Sequence, residues 1–255
     1  MAIHVSAKVF RYKPGEAAPR YQAFQVTVPD DANVIDVIEA CWRQDQTLMF
    51  RHACHHASCG TCAVRVNGSE RLPCIFSARA ALAESAEMLI EPLRNFALAG
   101  DLVVDVAGFF QKQIASGMVI TRAAEAMLAD QAYAPAPVVN PEGQWEERAH
   151  NRFENCIECG ICISACPTMA ATDKFFGPAG LAAVRRATLE ATAPAARAPL
   201  LALADGEQGV WRCHSAFECT EACPQAVDPA GAIMSLRREL IGAKAKRWLG
   251  NKAEK

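Results

Sequence analysis

The sequence runs to 255 residues, 51% of them hydrophobic and 21% charged; it has room for one large domain or two small ones and is too apolar for wholesale disorder. A formal net charge of −2 and a pI near 6.3 argue against a general nucleic-acid binder. No apolar run reaches the ~20 residues that a membrane span needs, and the most apolar stretch, residues 98–110, is interrupted by Asp101 and Asp105.

Residues 1–10 read as a strand, with neither a signal-peptide core nor an Arg/Ser-rich transit pattern, so a cytoplasmic chain is expected. Residues 3–10 and 21–28 alternate apolar and polar as strands do, around a turn with Pro14, Gly15 and Pro19. Residues 33–44 follow helical period, with Val34, Val37, Ile38 and Cys41 on one face. Residues 63–66 and 70–72 flank Asn67-Gly68, a strong hairpin signal, and residues 88–90 form a closing strand. Strand, strand, helix, hairpin and closing strand predict a β-grasp sheet. Beyond it the pattern is helical over 101–115, 121–130, 178–192 and 229–246. Residues 131–143 read as a connector, and 191–209 as a loop with one helical turn at 200–204. The expected class is α+β. A β-grasp domain occupies residues 1–105 and an all-α domain residues 106–255.

Twelve cysteines in short fixed spacings, in a chain with no secretion signal, point to metal or redox cofactors rather than disulfides. Cys54-x4-Cys59-x2-Cys62-x11-Cys74 has plant-type ferredoxin spacing and predicts a [2Fe–2S] site, where Gly60 permits close backbone approach. A structural zinc site is the competing reading, but such sites usually pair two short Cys knuckles. Cys156-x2-Cys159-x2-Cys162-x3-Cys166-Pro167 is a bacterial ferredoxin run, whose fourth cysteine crosses to a second cluster. Cys213…Cys219-x3-Cys223-Pro224 supplies the second run, with Ala216 where its second cysteine would stand. The crossing rule assigns Cys156, Cys159, Cys162 and Cys223 to a [4Fe–4S] cluster. Cys166, Cys213 and Cys219 are left for a [3Fe–4S] cluster, or for a [4Fe–4S] cluster completed by water or His214. Cys41 remains as a core thiol. A Rieske-type role for His55 and His56 is disfavoured, because four cysteines already suffice.

These motifs resemble those of the iron–sulfur subunit of succinate dehydrogenases and fumarate reductases, the respiratory complex II family. The likeness extends over residues 3–245. It includes Arg51, the Asn95-Phe96 pair, residues 101–105, Phe176-Gly177-Pro178-Ala179 and Val227-Asp228-Pro229. The resemblance implies an electron wire between a flavoprotein that interconverts succinate and fumarate at FAD and a quinone at one or more membrane anchor subunits, with or without haem b. The chain has no Gly-x-Gly-x-x-Gly fingerprint, so FAD is expected on the partner and no turnover from this chain alone. Pro167, His214 and Arg237 match positions near quinone. Ala170 and Ala171 replace an aromatic pair of ubiquinone-linked members, which favours menaquinone. The implied location is the inner face of a bacterial plasma membrane. The basic stretch 237–255, seven Lys/Arg with Trp248 and Leu249, suits such a surface. A soluble subunit coupling a related flavoprotein to a non-quinone partner such as a thiol is the alternative.

Overall fold

A computed structural model describes residues 2–116, 155–191 and 193–253. The expected helix at 121–130 and connector at 131–143 lie outside them. Two long strands, β1 (Ala2–Arg11) and β2 (Arg20–Pro29), pair antiparallel from Ala2↔Pro29 to Arg11↔Arg20. Helix α1 (Val34–Gln44) follows, then a hairpin of β3 (Val64–Val66) and β4 (Ser69–Arg71). Its turn, Asn67-Gly68, has positive φ at both residues (50° and 86°), which matches the right-handed twist of the flanking strands. A short helix, α2 (Ala78–Glu84), leads to β5 (Met88–Glu91). β5 lies between β1, parallel, and β3, antiparallel, so the sheet order is β2-β1-β5-β3-β4. This is the expected β-grasp sheet, and its strand directions are mixed.

Strand alternation turns Val5, Ala7 and Val9 inward with Phe24, Val26 and Val28, and the apolar stripe of α1 covers them. Cys41 belongs to that stripe, fully buried, with burial pushing its thiol up to about 12, as a core thiol should be. At the start of α1, the Asp36 carboxylate accepts the Asn33 N–H (2.8 Å), while the Asn33 amide donates to the Cys74 carbonyl (3.0 Å). One residue thus starts the helix and fixes the last cysteine of the first set.

The segment 101–115 corrects a sequence expectation. Only its second half is helical, as α3 (Ala107–Ala115); before it, β6 (Ala97–Gly100) and β7 (Val103–Asp105) form a separate two-stranded ribbon. Asp101 forces the break. Fully buried, it accepts the backbone N–H of Tyr12 (2.8 Å) and Met49 (2.7 Å) and pairs with the buried Arg11 at 3.1 Å. Those bonds pin a turn where periodicity suggested a helix start.

After the gap come α4 (Ile161–Ser164), α5 (Pro167–Ala171) and α6 (Pro178–Glu190). Helix α7 (Pro194–Asp205) overturns the expected loop with a single turn at 200–204. Pro199 removes one helical hydrogen bond, at a cost near 3 kcal/mol. Ala and Leu are strong helix formers, however, and Leu200, Leu201, Leu203 and Ala204 pack on the core. A 3₁₀ turn (Val210–Arg212), α8 (Glu218–Glu221) and α9 (Pro229–Ala253) complete the described chain. Leu181, Val184, Ile233, Leu236 and Leu240 form the centre of this helical core with Phe175 and Phe176. Glu239 on α9 pairs with Arg185 of α6 (2.7 Å) and Arg197 of α7 (2.5 Å).

Candidate iron–sulfur sites

The first site is an irregular loop between α1 and β3. His55 and Ala57 take left-handed backbone angles, both with φ 60°, which curls the loop so that its amides face inward. Three of those amides, from His56 (3.5 Å), Ser58 (3.3 Å) and Cys59 (3.3 Å), point at Cys54 Sγ. They draw the Cys54 thiol down to about 7, the His56 N–H most of all. Cys62, by contrast, is pushed up to about 12 by burial, and it hydrogen-bonds Cys74 and feels Cys59. The four sequence-predicted cysteines are therefore brought together.

The second and third sites are two copies of one local design, 57 residues apart. Cys156 and Cys213 each precede a left-handed residue two positions on, Glu158 (φ 55°) or Ser215 (φ 59°). Left-handed Gly160 (φ 77°) and Phe217 (φ 65°) then start the four-residue helices α4 and α8. Each helix carries a cysteine at its second position, Cys162 or Cys219, and a Cys-Pro pair follows. The copies differ at one cysteine, Cys159 in the first and Ala216 in the second.

The thiols of the two runs lie within electrostatic reach of one another, and Cys162 feels Cys219 as well as Cys223. Cys156, Cys159 and Cys162 all interact with Cys223, whereas Cys166 interacts with Cys213 and Cys219 with both. Burial raises Cys156 and Cys166, pushes Cys159 and Cys219 up to about 12, and lifts Cys162 well above its usual value. Bare thiolates so placed would repel one another in a poorly solvated space; a cationic iron core removes that penalty. Backbone N–H groups of Val227 and Ser215, each at 3.4 Å, serve Cys223 and Cys213. Sulfur-only donor sets, with amides directed at the sulfur, fit iron–sulfur groups at all three places.

The sites are held against one another. Gly60 packs directly on Cys159, and Cys162 senses Cys219 as well as its own set. Gln225, just past Cys223, donates to the Ala57 carbonyl in the first loop (3.0 Å). Sequence reasoning missed the residues that join the two halves. The Asn95 amide donates to the carbonyls of Ile163 (2.8 Å), Ser164 (3.0 Å) and Cys166 (3.2 Å). Ser164 in turn donates to the buried Glu70 (2.8 Å) and accepts the Arg94 N–H (2.8 Å). Of these residues only the Asn95-Phe96 pair carries a sequence signal, through its family resemblance.

Of the residues expected near quinone, Pro167 and His214 are exposed, and Ala170, Ala171 and Ala216 are exposed too. They flank the buried Cys166 and Cys219. Arg237 is placed differently from a cation free for a ligand. Its guanidinium donates to the Val210 carbonyl (2.9 and 2.7 Å), to Ser215 Oγ (2.9 Å) and to the Cys213 carbonyl. It clamps the loop that presents Cys213.

Fold and sites together define an iron–sulfur protein built from a plant-type ferredoxin unit and a two-run bacterial ferredoxin unit. A 2Fe-2S iron-sulfur cluster binding domain matches residues 6–111, and a 4Fe-4S dicluster domain matches residues 152–227. The chain is 35% identical to the fumarate reductase iron-sulfur subunit of Mycobacterium tuberculosis over 237 residues, 91% of each protein. It is 31% identical to that of Haemophilus influenzae over 90% of each, and 27% identical to the succinate dehydrogenase iron-sulfur subunit of Paracoccus denitrificans over 77% of this chain and 71% of that one. Its fold also matches a chain in the Mycobacterium smegmatis Sdh1 complex in the apo form, with a TM-score of 0.72 and 22% identity over 96% of this chain and 98% of that one. The chain belongs to the family of fumarate reductase and succinate dehydrogenase iron–sulfur subunits, and is thus an oxidoreductase subunit. No helix among the described residues is long and apolar enough to cross a membrane.

Proposed function

We propose that this chain relays electrons between an FAD-bearing flavoprotein, where succinate and fumarate interconvert, and a membrane quinone, through three iron–sulfur groups. Cys54, Cys59, Cys62 and Cys74 hold the [2Fe–2S] group in the unit formed by residues 1–105. Cys156, Cys159, Cys162 and Cys223 hold [4Fe–4S], and Cys166, Cys213 and Cys219 hold [3Fe–4S], in the unit formed by residues 106–255. When bound, these groups supply one-electron chemistry. The protein's part is to space them, direct amides at their sulfurs and keep water away. The observation that carries this reading is the unbroken series of cysteine sets, joined by the Gly60–Cys159 contact and by Cys162 beside Cys219.

The [2Fe–2S] loop faces the flavoprotein in this reading, and the exposed rim of the third set faces the quinone on the anchor, with or without haem b. His214 and Pro167 lie on that rim, while Arg237 serves by fixing the Cys213 loop. Ala170 and Ala171 leave room for a naphthoquinone such as menaquinone. The anchor would hold the subunit on the inner face of a bacterial plasma membrane. The test is to purify the complex anaerobically and compare quinone-linked with dye-linked activity in His214→Ala. Selective loss of the quinone-linked reaction supports the reading. A complex with no anchor subunit, or equal retention of both activities, contradicts it and favours a soluble carrier partner.

A further inference from the structure

A second group of potential ligands lies outside the cysteine sets, on the rim of the first loop. His52 Nδ1, His55 Nε2 and Glu39 Oε1 form a triangle with edges of 2.8, 3.6 and 3.8 Å. A four-coordinate zinc ion with bonds of ~2.0–2.1 Å separates its ligand atoms by about 3.3–3.4 Å, a spacing these edges bracket. Without an ion the arrangement is poorly used. The two imidazoles can share one hydrogen between them, and both edges to the carboxylate are too long for a hydrogen bond.

The three side chains are also oriented before any ion arrives. The His52 ring stacks on Phe50, with centroids 4.9 Å apart and an interplanar angle of 13°. The His55 ring meets the His52 ring edge-on, with centroids 5.0 Å apart and an interplanar angle of 69°. The other oxygen of Glu39 is held by Arg43 at 3.4 Å, leaving Oε1 turned to the histidines. Two imidazoles and one carboxylate, with an open side, form a donor set that zinc sites use with water as the fourth ligand.

We propose that Glu39, His52 and His55 bind one divalent transition-metal ion, zinc foremost, separate from the iron–sulfur sites. Such an ion ties α1 to the loop bearing Cys54 and puts positive charge beside it. This inference does not depend on the direction or the quinone of the electron relay.

The full chain, purified anaerobically with its iron–sulfur groups loaded, is dialysed against limiting zinc(II) and analysed for zinc and iron. The wild type should retain one zinc per chain with its iron content unchanged. Glu39→Gln and His52→Ala should each weaken zinc binding by about tenfold or more. His4→Ala, on a remote strand, should bind as the wild type does. X-ray absorption of the bound zinc should show only nitrogen and oxygen at ~2.0–2.1 Å, with no sulfur near ~2.3 Å. The proposal is overturned if no zinc is retained, if its shell contains sulfur and iron is lost, or if both variants bind as tightly as the wild type.

Discussion

Gly60 lies against Cys159: a Cβ at residue 60 would stand 2.8 Å from the Cys159 Cβ and 2.5 Å from the Ile157 carbonyl oxygen. The first cysteine loop and the second set therefore touch where neither has room to retreat. Gly60 also has φ +67°, a conformation that costs an L-residue about 1–2 kcal/mol. Gly60→Ala should add overpacking of about 1–3 kcal/mol and push the two loops apart. We expect a lower melting temperature and slower electron transfer between the first two groups, read by freeze-quench EPR. A variant with wild-type stability and transfer rate would show that this contact is not the bridge.

The junction has a polar half as well. Glu70, 8% exposed, receives Ser164 at 2.8 Å and Arg94 at 3.2 Å. Ser164→Ala removes a donor from a buried carboxylate, a change worth about 1–3 kcal/mol. Asn95→Ala leaves three carbonyls at the end of α4 without that donor, Cys166 among them. Both variants should unfold at lower temperature, and Asn95→Ala should also lose iron from the third site first. Uniform iron loss across all sites would contradict this placement.

Asp101 and Arg11 are both fully buried and pair at 3.1 Å. Removing the Asp101 charge leaves Arg11 only the half-open Asp45 and weakens the acceptor of the Tyr12 and Met49 N–H groups, a loss approaching the ~3–5 kcal/mol of a broken buried pair. Asp101→Asn should therefore lower the melting temperature far more than Asp45→Asn, whose carboxylate also meets Arg11 but is partly open to solvent. Equal losses from the two substitutions would place the anchor of Arg11 elsewhere.

How far the sequence reveals this arrangement depends on the range of each interaction. The cysteine spacings and the Asn67-Gly68 turn are local, so they are readable. Strand alternation shows because one face of the sheet is buried. The clamps are not readable, since Asn95 meets Ile163 across 68 positions, Ser164 meets Glu70 across 94 and Gln225 meets Ala57 across 168. Nothing in the local pattern marks them. The turn at Asp101 was hidden for the same reason, because its partners Arg11, Tyr12 and Met49 come from distant strands and loops. Helix α7 reads as a loop because its prolines, Pro194 and Pro199, mask an Ala/Leu-rich stretch that packing supports.

Tyr21 donates to Glu91 Oε1 at 2.6 Å, linking β2 to β5 across β1. That hydrogen bond, more than burial, raises the Tyr21 phenol to about 12. The folded value lies above the unfolded one of ~10, so the stabilisation is complete below pH ~10 and fades as pH rises toward 12. Thermal melts between pH 9 and 12 should show a loss that Tyr21→Phe lacks. Identical pH profiles for the two proteins would remove Tyr21 from the account.

Ala216 stands where Cys159 stands in the other copy, and this one difference is expected to leave the third site with three iron atoms. Iron and sulfide analysis with EPR of the anaerobically purified, oxidised protein, beside Ala216→Cys, decides this. The wild type should contain about nine iron atoms per chain and show a [3Fe–4S] signal. In Ala216→Cys that signal should disappear, with one more iron per chain and a lower potential at the third site, because the added thiolate brings negative charge. A wild type without the [3Fe–4S] signal, or with zinc in place of iron at the cysteines, would contradict the account.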